Sequence, residues 1–253
     1  MRITFLGTGT SQGVPVIACK CSTCLSEDPK DKRLRSSVLV EQEGNTLIID
    51  TGPDFRQQML EASVDNLDAI LFTHEHRDHI AGLDDVRAYN FILDRPMDVY
   101  GEERVLRALQ HTFPYIFTER NYPGIPRVDF HTIDNQPFIA GNIQVTPIRA
   151  LHYRLPVLGF RIGEFAYVTD ANYIAPDEIA KIRGIGHFAI CALRRKEHIS
   201  HFNLEQALDV IRDVRPGKAW LTHISHQMGK CRELENELPP NVSPAWDMLS
   251  LEI

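Results

Sequence analysis

Short apolar runs alternate with polar or glycine-containing breaks along the whole chain, and the lengths of the runs predict the elements. Arg2–Leu6 reads as a strand ending at Gly7. Ser37–Gln42 and Thr46–Asp50 are two strand-like runs joined through Gly44-Asn45, the pattern of a hairpin. Pro53–Ala62 has helical spacing with proline near its first position. Ala69–Phe72 is apolar throughout, as in a strand covered on both faces, and a helix is expected from about His79 to Leu93. In the second half, Ile143–Ile148 reads as a strand, and Leu158–Ile162 pairs with Phe165–Thr169 around Gly163-Glu164. Pro176–Arg183 reads as a helix and His187–Ala192 as a strand. A helix capped by Asn203 runs to Val214, where Pro216-Gly217 stops it. Ala219–Thr222 is another buried strand and Lys230–Leu238 another helix. Hairpin and crossover strands with helices between them predict an α/β (α+β) sandwich with mixed sheets, spanning 1–253 without a domain boundary.

Composition changes this picture in three ways. With 253 residues, 43% of them hydrophobic, the chain can bury a core without disulfides. It has no secretory leader pattern and no apolar stretch of membrane-spanning length, so the expectation is a cytoplasmic protein with no membrane partner. The 27 basic residues are outnumbered by 34 acidic ones, a net charge of −7. That balance argues against bulk nucleic-acid binding but leaves room for a small phosphorylated substrate.

The strongest chemical signal is Thr73-His74-Glu75-His76-Arg77-Asp78-His79, directly after the apolar run Ala69–Phe72. Three imidazoles and a carboxylate there would project from a strand end into a loop, where open α/β sheets place their sites. Imidazole and carboxylate suit Zn²⁺, Mn²⁺ or Fe²⁺. The plain alternative is a solvated histidine-rich turn. Three more candidates stand just past predicted strands: His152, Asp170 and His223. One such residue alone is more often a cap or a satisfied core group; three suggest convergence on one sheet edge. No Gly-x-Ser-x-Gly nucleophile pattern is present, and a metal pair that activates water would need none.

Five cysteines are present, and Cys19, Cys21 and Cys24 fall within six positions. An odd count argues against a disulfide framework. Three thiolates at this spacing can wrap one face of a structural zinc in a loop at about 19–26, leaving its fourth corner to be filled. The plain alternative is three reduced cysteines in a loop.

His-x-His-x-Asp-His at 74–79, with Gly7-Thr-Gly9 near the start and His223 near the end, resembles the metallo-β-lactamase superfamily over nearly the whole chain. That resemblance implies a four-layer αββα sandwich and a pair of divalent ions, Zn or Mn. His74, His76 and His152 would hold one, Asp78, His79 and His223 the second, and Asp170 would bridge them. Asp50, in Ile49-Asp50-Thr51-Gly52, would orient the metal loop. Gly7-Thr-Gly9-Thr-Ser-Gln12-Gly13-Val-Pro15, the cysteine cluster and Leu221-Thr-His223-Ile-Ser-His226-Gln227 resemble more closely the cyclic phosphodiesterase family of the carbon–phosphorus lyase pathway. By that resemblance His226 is the fourth ligand of the structural zinc, and His201, with Asp78, belongs to the catalytic apparatus. His201 would contact the phosphate and donate a proton. The implied reaction is hydrolysis of a small, cyclic phosphodiester by a hydroxide shared between the two metals, and the implied assembly is a homodimer. The residues before His201 depart from that family. His198, Arg194, Arg195 and Lys196 could contact substrate or form an ordinary basic turn. Phe113, Tyr115, Phe117 and Tyr122, in Thr112–Asn135, could shape the pocket or a subunit interface, though aromatics there are more often core. Other readings are a thioester, lactone or β-lactam hydrolase on the same fold, an RNA-processing nuclease, and a non-catalytic metal-binding scaffold.

Overall fold

The computed structural model describes residues 1–117 and 124–253; Tyr122 lies outside them. Its strands, in chain order, are β1 (Arg2–Gly7), β2 (Ser37–Gln42), β3 (Asn45–Ile49), β4 (Ala69–Leu71), β5 (Met97–Gly101), β6 (Val128–Thr132), β7 (Phe138–Ala140), β8 (Ile143–His152), β9 (Leu155–Ile162), β10 (Phe165–Val168), β11 (Tyr173–Ile174), β12 (His187–Cys191), β13 (Lys218–Thr222), β14 (Val242–Pro244) and β15 (Leu249–Glu252). The helices are α1 (Phe55–Glu61), α2 (Arg77–Ile80), α3 (Arg87–Leu93), α4 (Glu103–Thr112), α5 (Pro176–Ala180), α6 (Leu204–Val214) and α7 (Cys231–Glu237).

Two mixed sheets result. One has the order β15-β1-β2-β3-β4-β5-β6, the other β11-β8-β9-β10-β12-β13-β14, with β7 paired to β8. Hairpins make the antiparallel parts. Helical crossovers make β3-β4-β5-β6 and β10-β12-β13-β14 parallel. Three apolar layers account for the stacking. Phe5, Leu47 and Leu71 of the first sheet meet Phe160, Phe165 and Tyr167 of the second in a fully buried central layer. Phe55, Val86 and Leu109 cover the outer face of the first sheet, and Ile179, Ala207 and Ile211 that of the second. Helix–sheet–sheet–helix is the expected four-layer arrangement.

Several boundaries differ from the sequence expectation. The β2–β3 turn is Glu43-Gly44, both with positive φ, because Gln42 already pairs with Asn45. The helix expected from His79 to Leu93 is broken into α2, a 3₁₀ turn at Leu83–Val86, and α3. Gly82 at the break packs against the Gly52 carbonyl, where an added Cβ would sit 2.2 Å from that oxygen. The strand expected to end at Ile148 runs on to His152, so that histidine ends the strand itself. In the Thr112–Asn135 stretch, Phe113 is core and Phe117 packs on Phe130 at 5.0 Å between ring centroids.

Candidate metal centre

Every candidate ligand of the paired-metal set sits at or just past a strand end on one rim of the sandwich. Asp50, behind them, follows β3, and His74 to His79 follow β4. His152 ends β8, Asp170 follows β10 and His223 follows β13. Asp50, Asp170 and His223 adopt left-handed backbone conformations, with φ of 64°, 50° and 54°. Such conformations cost energy for residues other than glycine and persist where the surroundings over-determine them.

Asp170 lies at the centre. Its Oδ2 is 3.2 Å from His79 Nε2 and 3.1 Å from His223 Nδ1, and its Oδ1 is 3.8 Å from His201 Nδ1. His79 Nε2 is also 3.2 Å from Asp78 Oδ2. Ligating atoms gather within 4.8 Å of one another in overlapping sets: His74, His76 and His152; His74, His79 and Asp170; Asp78, Asp170 and His223; and His152, Asp170 and His201. The rings pack closely, with 4.6 Å between the His74 and His76 centroids and 4.3 Å between His74 and His79.

The charges of the cluster suit a cation. Burial, then the carboxylates of Asp170, Asp78 and Asp50, act in opposite senses on His79, and the carboxylates win, raising it well above the imidazole range. Burial holds His74, His76 and His223 below their ordinary values, so they are neutral donors of lone pairs. Burial opposes ionisation of Asp170, but His223 and His79 outweigh it and hold the carboxyl well below the usual range. Metal fits this set on a direct observation: His74 Nε2 is buried and makes no hydrogen bond. A buried nitrogen without a partner is costly, and a cation held by it, by the other imidazoles and by the ionised carboxylates would satisfy it and could displace the proton that His79 otherwise keeps.

Residues behind the cluster orient it. Asp50 is fully buried and accepts from Thr73 N at 2.8 Å, Thr73 Oγ1 at 2.8 Å and His79 Nδ1 at 2.7 Å. Thr73 Oγ1 in turn lies 3.0 Å from His74 Nδ1. His152 Nδ1 donates to the Ser200 carbonyl at 2.8 Å, and Ser36 Oγ is 3.2 Å from His223 Nδ1. Ser36, Thr73 and Ser200 carry no signal in the sequence, being ordinary residue types far from the motif or masked by it.

His201 is buried between His152 and His223, with ring centroids 4.5 and 5.0 Å away, and burial pushes its pKa down to about 3. His198 lies beside it, 5.1 Å between centroids. Arg194 and Arg195 are engaged elsewhere: Arg194 with the Lys196 and Glu197 carbonyls and Gln227, Arg195 with Met228 O and Glu237. Cys191 is buried, its thiol is pushed up to about 12 by burial, and it bonds the backbone of Ala171, so it is structural.

The cysteine loop forms a second cluster. His226 Nδ1 is 3.3 Å from Cys19 Sγ, 3.3 Å from Cys21 Sγ and 3.5 Å from Cys24 Sγ. Tetrahedral zinc with ordinary Zn–S and Zn–N bonds places sulfur about 3.5 Å from nitrogen. The backbone N–H of Cys24 donates to Cys21 Sγ at 3.4 Å and helps pull that thiol down to about 6. Burial pushes Cys24 up to about 11.

A family model described as a β-lactamase superfamily domain matches residues 45–224. A crystal structure of a diphosphatase from the PhnP family superposes over 100% of this chain and 97% of its own, with a TM-score of 0.93 and 36% identity. An octanoyltransferase of Porphyromonas gingivalis is 42% identical over 98% of this chain but only 51% of its own length. A ribonuclease Z of a Nostoc species is 28% identical over 65% of this chain and 47% of its own. The chain therefore spans about half the length of the curated relatives it matches. With its two mixed sheets and rim of histidines and aspartates, the chain belongs to the metallo-β-lactamase superfamily of hydrolases and, within it, to the PhnP family.

Proposed function

We propose that the chain hydrolyses a phosphodiester or diphosphate bond in a small, phosphorylated molecule, a cyclic phosphodiester among them. The observation that carries this reading is the Asp170 cluster, where the unpartnered buried His74 Nε2 and the His79 imidazole meet ionised carboxylates. His74, His76 and His152 would hold one divalent ion, Asp78, His79 and His223 a second, and Asp170 would serve both. When bound, such a pair lowers the pKa of water and neutralises charge on a phosphoryl group. Asp50 and Thr73 keep the imidazoles oriented. With an anionic phosphoryl group beside it to offset the burial that holds its pKa at about 3, His201 would donate a hydrogen bond to the phosphoryl oxygens and a proton to the leaving oxygen. Cys19, Cys21, Cys24 and His226 would hold a separate structural zinc that pins the cysteine loop beside the β13 end.

The test is metal analysis of the pure protein beside hydrolysis of bis(p-nitrophenyl) phosphate with and without added Mn²⁺. About three metals per chain and metal-dependent turnover are expected. His201→Ala should keep the metal content and lose about 10²–10⁴-fold in kcat. Loss of metal in that variant would make His201 a ligand instead. Similarity to ribonuclease Z supports a second reading, cleavage of transfer-RNA precursors, which the net charge of −7 disfavours. Processing of a precursor transcript at low salt would establish it.

A further inference from the structure

A shallow, open depression of about 520 Å³ lies beside the candidate metal centre, and its lining is largely apolar. Its floor is His76 and His152, and its walls are Tyr153, Arg154, Leu155 and Ile199. Ile199 is 68% exposed and Tyr153 47% exposed. Apolar groups of this size left open to water beside a reactive centre are a mark of ligand binding rather than of core packing.

The two walls belong to different loops, one after β8 and one before α6, and they are tied together under the depression. Asn172, two residues past Asp170, accepts from Tyr153 N through Oδ1 at 2.7 Å. Its Nδ2 donates to Ile199 O at 3.2 Å, and its own N–H bonds Leu151 O at 2.8 Å. The His152–Ser200 hydrogen bond is a second tie. Tyr153 is held at φ 58°, a left-handed conformation that turns the chain at the rim. Arg154 stacks its guanidinium 5.2 Å from the Tyr153 ring centroid and has no carboxylate partner among the described residues. A planar cation laid over a tyrosine ring leaves its own outer face for another flat group, and the cation suits the electron-rich face of a ring.

We infer that this depression binds the organic arm of the substrate, and that the arm carries a planar ring, such as a nucleobase or an aryl group. The inference rests on the reading that a phosphoryl group sits at the Asp170 cluster, since the floor of the depression is part of it. Tyr153, Arg154 and Ile199 are then specificity residues, and Asn172 positions them.

The experiment measures binding of phenylphosphonate, n-hexylphosphonate and methylphosphonate to the Mn²⁺-loaded protein by titration calorimetry. Turnover of p-nitrophenyl phenyl phosphate and p-nitrophenyl methyl phosphate is measured alongside. The ring ligand should bind roughly tenfold more tightly than the methyl one, and more tightly than the hexyl one. That preference should collapse to about twofold in Ile199→Ser and in Tyr153→Asn. Both substitutions lie at exposed positions, and asparagine tolerates the left-handed backbone. Equal binding of the three phosphonates, a hexyl preference, or a ring preference that survives both substitutions would overturn the inference. A ring preference in a protein that cleaves neither diester would uphold the depression as a binding site while removing the phosphodiesterase reading. Cleavage of both diesters at equal rates with equal phosphonate binding would do the reverse.

Discussion

Replacing Asp50 by asparagine changes one oxygen to a nitrogen at the back of the metal centre, and the hydrogen-bond chain predicts that two histidines reverse. In the native arrangement the Asp50 carboxylate can only accept. It takes hydrogens from Thr73 Oγ1 and His79 Nδ1, both through Oδ2. Thr73 Oγ1, having given its hydrogen to Asp50, accepts from His74 Nδ1. Both histidines therefore carry hydrogen on Nδ1, which leaves Nε2 for a metal: His74 Nε2 has no protein partner, and His79 Nε2 faces Asp78 and Asp170. In Asp50→Asn an NH₂ group takes the place of Oδ2 and donates to both neighbours. His79 Nδ1 must then accept, and the Thr73 hydroxyl turns to donate to His74 Nδ1. Each imidazole now carries hydrogen on Nε2, where a metal would bind. Restoring the right tautomer breaks a buried hydrogen bond, about 1–3 kcal/mol for each histidine. Loss of roughly 10–100-fold in affinity is expected at each metal. The metal-free variant should stay folded, since the amide keeps all three hydrogen bonds of the carboxylate and the one unpartnered hydrogen falls on His74 Nε2. Asp50→Ala orphans Thr73 N and His79 Nδ1 and should cost about 2–6 kcal/mol of stability. The assay is zinc titration of metal-free protein against a chromophoric chelator, with ¹⁵N NMR reading the protonated nitrogen of His74. Affinities of Asp50→Asn within about threefold of wild type, or an unchanged His74 tautomer, would refute the reasoning.

Three further outcomes follow from particular contacts. Gly52→Ala would put a Cβ 2.2 Å from the Asp78 carbonyl oxygen, so the backbone of the metal loop must shift. About 1–3 kcal/mol of stability should be lost, together with the metal that Asp78 would hold, seen by urea unfolding and metal analysis. Cys24→Ser should remove one metal per chain that survives mild chelation in the wild type, and lower the unfolding temperature. Burial pushes Asp247 up to about 6, although it accepts from Thr8 and Leu34. Its folded pKa thus exceeds its unfolded one, so its contribution is full below about pH 4 and fades as pH rises through 6. Relative to Asp247→Asn, the wild type should lose about 2 kcal/mol between about pH 4.5 and 7.5 in urea unfolding.

The candidate metal centre is readable in the sequence because its chemistry is concentrated. His74 to His79 are unusual residues at short spacing, and His152, Asp170 and His223 each follow an apolar run that folds as a strand. The cysteines are readable for the same reason, whereas their nearness to His226, some two hundred positions away, comes only with the resemblance until the fold brings them together. The supports are not readable. Asn172, Ser36 and Ser200 act through where they are, and an asparagine or serine in a loop has many ordinary uses. Strand β5, helix α4 and strand β6 are absent from the sequence expectation. The burial pattern of β5 alternates over only five residues, and β6 is largely half-exposed at a sheet edge, so neither leaves a strong periodic trace. Gly82 splits a helix that periodicity alone would continue, since crowding by Gly52 and Phe55 is invisible in a linear pattern.

The candidate ligands of the rim are divided between the two sheets. His74, His76, Asp78 and His79 follow β4, whereas His152, Asp170 and His223 ride on β8, β10 and β13. Ions held there would act as stitches across the seam of the sandwich. Neither sheet alone could bind them well, so whatever affinity the assembled rim has is returned as resistance to separation. At a free ion concentration about a hundred times the dissociation constant, each stitch adds about 2.7 kcal/mol. The lifetime of the folded chain would then follow the metal supply around it, and starvation for metal would thin the population of the protein as well as silence it.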